Sequence, residues 1–100
     1  MMNELSEDTN TARHKFTLFV SGMSVNSGHA IENLRRICDQ YLKDNYDLEI
    51  IDINRDKEQA GIHQIVAIPT LIKHEPLPKR TIIGDLSDSE KVLKILTLIE

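Results

Sequence analysis

The chain contains no tryptophan, two Tyr, two Phe and a single cysteine. With so few rings, the core must be built from Ile, Leu and Val. One cysteine cannot close an internal disulfide, which fits a reducing cytoplasmic setting. Basic residues are not in excess: 12 Lys and Arg face 16 Asp and Glu, for a net charge of −4. Nucleic-acid and anionic-membrane binders need a clustered basic face, so both partner classes are disfavoured. No apolar run approaches the ~18 residues needed to span a bilayer. Met1-Met2-Asn3-Glu4 lacks the cationic and apolar regions of a secretory signal. The four glycines, Gly22, Gly28, Gly61 and Gly84, stand far apart, so no loop of the phosphate-cradling kind is present.

What is present is enough for one domain. One hundred residues, 40% of them apolar and 28% charged, describe an ordinary globular chain with one core. Residues 1–14 are polar and read as a leader without fixed structure; the folded domain is expected over 15–100. Lys15–Ser21 alternates as a strand, with Phe16, Leu18 and Val20 on one face and Phe19 on the other. Apolar content on both faces predicts an interior strand. Ser24 or Asn26 then caps a long helix to about Asp44, its stripe formed by Ala30, Ile31, Leu34, Ile37, Cys38, Tyr41 and Leu42.

Asp47–Ile53 is the second strand, parallel to the first through a right-handed crossover. It is also a candidate edge for strand addition or self-association. Asn54 is placed to cap a short helix from Arg55 to about Gln64. Gly61 weakens that helix by roughly 1 kcal/mol, making it the least stable element. Ile68–Lys73 is the third strand, with Pro69 at its start because proline cannot donate to a ladder. His74–Pro78 is a turn, and Lys79–Ile83 an antiparallel edge strand. Ser87 and Glu90 read as a capping box for a last helix running to about Glu100. The sum is an α/β domain of order β-α-β-α-β-β-α with a mixed four-stranded sheet, the thioredoxin-like arrangement.

Chemistry is hard to place in this frame. A thiol enzyme of this architecture carries its nucleophile at the start of the first long helix, where the dipole lowers the thiol pKa. Here that corner reads Gly22-Met23-Ser24-Val25-Asn26-Ser27. Cys38 lies about 20 Å further along the helix and reads as a buried structural thiol, with a redox role as the alternative. Ser24 and Ser27 read as caps. His14, His29, His63 and His74 show no ligand spacing, so no metal and no cofactor is expected. Asp85, after Gly84, is a candidate to satisfy the N-terminus of the last helix.

Phe16–Gly22, Asn26-Ser27, Ile51-Asp52, Pro69-Thr70-Leu71 and above all Ile82-Ile83-Gly84-Asp85-Leu86-Ser87 with Glu90-Lys91-Val92-Leu93 resemble the KaiB family of bacterial clock proteins. The sensory domain of the clock-output histidine kinase SasA is a sister of that family. The resemblance implies a non-enzymatic module that binds a KaiC-like RecA-type ATPase, competes with the kinase sensory domain and captures a KaiA-like partner. It also implies two interconvertible folds: a monomeric thioredoxin-like one, and a tetramer-forming one with the C-terminal half rebuilt as β-α-α-β. The positions matching the docking helix and its flanks are Arg55, Glu58, Gln59, His63 and Gln64, a solvated helix face being the alternative reading. Clock-type members tend to carry a basic residue where this chain has Gln64.

The structural and switch positions are Pro69, Thr70, Gly84, Asp85, Leu96 and Leu98. Where clock-type members tend to carry a glycine and an acidic residue in the last segment, this chain has Leu96 and Leu98. Leu in place of a helix-weakening Gly favours the helical state by roughly 0.5–1 kcal/mol. The thioredoxin-like state is therefore the expected one, with Pro69 in cis. The competing readings are a stand-alone sensory or interaction domain of a signalling pathway, and a thiol oxidoreductase using Cys38.

Overall fold

The computed structural model describes residues 13–22 and 24–99. The expected leader lies outside the described residues up to position 12, but Arg13 and His14 belong to the fold. Arg13 pairs with Asp47 at 2.9 Å, and His14 opens the first strand. The elements are β1 (His14–Val20), α1 (Val25–Tyr41), β2 (Tyr46–Asp52), α2 (Lys57–Ile62), β3 (Thr70–Glu75), β4 (Arg80–Ile83) and α3 (Ser89–Ile95).

The four strands form one sheet of order β2-β1-β3-β4. β1 is parallel to β2, with Phe16 opposite Leu48 and Leu18 opposite Ile50. β1 is antiparallel to β3, and β3 to β4. β1 is thus interior and β2 an edge, as the residue pattern predicts. The period of two in β1 divides the core. Phe16, Leu18 and Val20 meet Ala30, Leu34, Ile37 and Cys38 of α1 and Val92 and Leu93 of α3. Phe19 faces the other way and packs with Ile51 and Ile72, beneath Ile53, Ile65 and Ile68.

The second cluster is small because little covers that side. α2 has only six residues and no buried side chain. It is capped by Asp56, whose carboxylate accepts from Gln59 N at 3.3 Å, and not by Asn54. Asn54 is engaged elsewhere: its N–H donates to Asp52 and its side-chain amide to Ser21.

Other boundaries shift for comparable reasons. α1 is capped by Ser24 and stops at Tyr41, short of Asp44, with Leu42 as its C-cap. α3 is capped by Asp88, which accepts from Lys91 N, and not by Ser87, whose N–H is taken by Asp85. α3 also stops at Ile95. Thr97 adopts φ 57°, and Leu98 N reaches back to Leu93 O at 2.8 Å. That bond closes the helix in a left-handed cap. Leu96 is the fully buried C-cap residue and Leu98 lies beyond the helix, partly buried against the core. His74 and Glu75 extend β3 and do not form the turn; Glu75 pairs with Lys15 of β1 at 3.8 Å.

Ile68–Pro69 is cis, as expected, and so are Glu75–Pro76 and Leu77–Pro78. Pro69 immediately precedes β3, where its missing N–H costs no ladder bond. Its carbonyl accepts from Gly84 N at 2.9 Å, and Thr70 Oγ1 donates to Ala67 O at 2.6 Å.

Candidate partner-binding site

The C-terminal ends of β1 and β2 and the start of α1 form one corner. Gly22 turns there with φ 52°, a left-handed conformation that glycine adopts without a Cβ clash. Its N–H donates to Asp52 Oδ1 at 3.1 Å. Ser24 Oγ accepts from Ser27 N at 3.2 Å, and the buried Ser27 Oγ accepts from Ser21 N at 3.0 Å. Both serines therefore build the corner. Cys38 is fully buried in the α1 stripe, and burial, then the Asp39 carboxylate, pushes its thiol up to about 12. A thiol so protonated is a poor nucleophile.

Asp85 has a local task. Its Oδ1 accepts from Ser87 N at 3.0 Å, and its carbonyl accepts from Asn33 Nδ2 at 2.8 Å. Hydrogen bonds from Ser87 hold its carboxyl below the usual range. It does not satisfy the N-terminus of α3, because Asp88 occupies that position. Gly84, with φ 120°, turns the chain so that Leu86 drops into the core.

The positions singled out around α2 divide. Arg55, Glu58 and Gln64 are exposed, and Gln59 is half-buried. Gln64 sits at φ 56°, closing α2. His63 does not face outward with them. Its ring lies 5.4 Å from Phe19 and 6.0 Å from His74. Two apolar neighbours lie on the surface: Ile62 is 63% exposed and Val66 89%. The α2 region thus offers a mixed surface of charge and exposed aliphatic groups.

Below His63 the sheet face is open. A cleft of about 480 Å³ is lined by Lys15, Thr17, Asp47, Glu49, His63 and His74. Thr17 Oγ1 and His74 Nε2 share a hydrogen bond of 2.9 Å. Burial, Lys79 and His63 hold the His74 imidazole below its ordinary range, against the pull of Glu49 and Glu75. Among the described residues no group of three or more His, Cys, Asp or Glu is placed to hold a metal ion. Nor is any helix there long and apolar enough to cross a membrane.

One residue on the opposite face has no counterpart in the sequence reading. Lys73 is 1% exposed, and its Nζ has no hydrogen-bond partner among the described residues. The His14 imidazole is lowered by its own burial and by the charge of Lys73.

The mixed sheet, the β-α-β crossover and the terminal β-β-α unit define a thioredoxin-like domain whose helix corner carries no cysteine. A solved thioredoxin from Drosophila melanogaster, Deadhead, superposes with a TM-score of 0.69 at 13% identity, covering 100% of this chain and 95% of that one. The N-terminal domain of Synechococcus elongatus SasA superposes with a TM-score of 0.69 at 21% identity, covering 88% of this chain and 87% of that one. Sequence similarity is more specific. The KaiB domain family model matches residues 17–98. The circadian clock protein KaiB3 of Synechocystis is 45% identical over 82 residues, 82% of this chain and 80% of that protein. The circadian clock oscillator protein KaiB of Synechococcus elongatus is 44% identical over 82 residues, with the same coverage. The chain belongs to the KaiB family.

Proposed function

We propose that this chain is a non-enzymatic binding module that docks the α2 face on a KaiC-like RecA-type ATPase and thereby regulates a clock or signalling output. The observation that carries the reading is α2 itself: six residues with no buried side chain, including exposed Glu58 and Ile62, and flanked by exposed Arg55, Gln64 and Val66. An element that contributes so little to its own core is available to a partner. Aliphatic groups rimmed by charge are the composition of a protein interface. The relatives' names as clock proteins support the same direction. So does the corner at Ser21–Ser27, which holds capping serines where a thiol enzyme needs cysteine.

The β2 edge is a second contact surface, for a KaiA-like protein or a second copy of the chain. The thioredoxin-like monomer is the binding state, and the family's tetramer-type fold is the alternative state. The test is a pull-down with a co-encoded KaiC-like ATPase, with and without nucleotide. Retention that is lost in an Arg55→Glu, Ile62→Asp variant supports the reading. No retention under either condition points to a stand-alone interaction domain of another signalling pathway.

A further inference from the structure

The segment from α2 to the start of β3 is joined to the sheet by few side chains. Ile65 and Ile68 are only partly buried against Phe19, Ile51 and Ile72. A further anchor is His63, wedged between the Phe19 ring and His74. The two imidazoles come from different elements and meet above β1, edge to face, with interplanar angle 64°. His74 is fixed from below by Thr17.

From this arrangement we infer that the contact between His63 and His74 is an acid-sensitive latch: with His74 neutral it holds α2 and the loop after it against the sheet, and protonation of His74 releases them. An edge-to-face contact suits two neutral rings. A charged His74 is disfavoured here by burial, and the neighbouring groups do not compensate it fully. From β1, Lys15 is engaged with Glu75 of β3. From β2, Asp47 is engaged with Arg13, which leaves Glu49, among the described residues, as the carboxylate without an ion pair on this face; Glu49 and the Lys15-paired Glu75 both favour a charged His74, without offsetting burial. From the turn after β3, Lys79 adds a like charge.

The Thr17 contact does not oppose release. Its hydroxyl donates to a neutral Nε2 and accepts from a protonated one, so that bond survives in both states. The sign follows from the environment of His74. Its charged form is less favourable in the closed arrangement, so protons bind more tightly to the open one. The closed arrangement is fully favoured above the ordinary imidazole value of 6.5 and loses favour as pH falls through that value. The inference concerns the chain alone and stands whether or not α2 meets an ATPase.

The test is amide hydrogen exchange by NMR on the full chain at about pH 7.5 and about pH 5.5, each rate divided by its intrinsic rate, in a range where only histidine titrates from its unperturbed value. Protection at Ile62, Gln64 and Ile65 is expected to fall at the lower pH. The fall reaches about tenfold for each pH unit by which His74 is displaced. Protection at Leu18 and Phe19 in β1 is expected to hold. His74→Gln keeps a polar side chain but cannot charge, so in that variant the fall is expected to vanish; in His63→Gln it is expected to shrink, because burial and Lys79 still disfavour the charged His74. Unchanged protection in the parent chain overturns the latch. A fall in His74→Gln as large as the parent's, a fall in His63→Gln undiminished from the parent's, or a fall shared by β1 overturns it as well.

Discussion

Lys73→Met removes the one buried cation that no described group satisfies. The residue lies between Phe16 of β1 and Arg80 of β4 in the sheet register. Its side chain is on the same face as Leu71, toward the larger core. Burial, and secondarily Arg80, lowers its ammonium from the ordinary value of 10.5. The cost has a ceiling: carrying the lysine as a neutral amine at pH 7 costs about 5 kcal/mol. Replacing buried ion pairs by apolar groups of similar volume is neutral or gains about 1–4 kcal/mol; an unpaired buried ammonium lacks even the partner's attraction, and Met matches the length of the stem. We expect Lys73→Met to stabilise the fold by about 1–3 kcal/mol. For a chain of this size that raises Tm by roughly 4–8 °C for each kcal/mol.

The pH dependence is specific. In the fold the lysine sheds its proton below 10.5, while the unfolded chain still holds its own. The stability of the parent chain therefore rises with pH through that window, and the advantage of Lys73→Met narrows. Guanidinium unfolding at neutral pH and at about pH 9.5, below the unperturbed lysine range, measures both effects. A variant less stable than the parent at neutral pH, or an advantage that does not narrow, refutes the reasoning.

Asp88→Ala is expected to cost about 1 kcal/mol through loss of the α3 cap, and Ser87→Ala less than half of that, because Asp88 and not Ser87 accepts from the first turn. Thermal unfolding of the two variants side by side decides which residue is the cap. Cys38 is expected to react with an aromatic disulfide reagent at pH 8 only as the chain unfolds, since its thiol is buried and titrates near 12. Rapid labelling of the folded chain, at the rate of a free thiol, contradicts that placement.

The strands were legible because a period of two needs no tertiary information. Phe16, Leu18 and Val20 against Phe19 predict both sides of an interior strand, and both core clusters follow. Pro69 announced the start of β3 for the same local reason. The helix ends were harder because several residues could cap them, and distant partners made the choice. Asn54 lost the cap of α2 to Asp56 once Asp52 and Ser21 claimed its donors. Leu96 and Leu98 promised a longer last helix, but the left-handed turn at Thr97 ends it and returns Leu98 to the core. Of the candidate site, the exposed α2 face was visible in composition. The inward turn of His63 was not, since its partners Phe19 and His74 lie on other elements. Lys73 is instructive in the same way. Its parity with Leu71 places it inward, and the usual exposure of lysine argues against that placement.

We propose α2 as the docking face of the thioredoxin-like state. The direct measurement is an NMR titration of the isotopically labelled chain with a co-encoded KaiC-like ATPase. We expect the assigned chain to show β3, β4 and a helical α3, with line broadening confined to about residues 55–66 and their flanks. Broadening centred on the exposed face of α1, or an Ile95–Ile99 segment that is a strand in the bound state, contradicts the account.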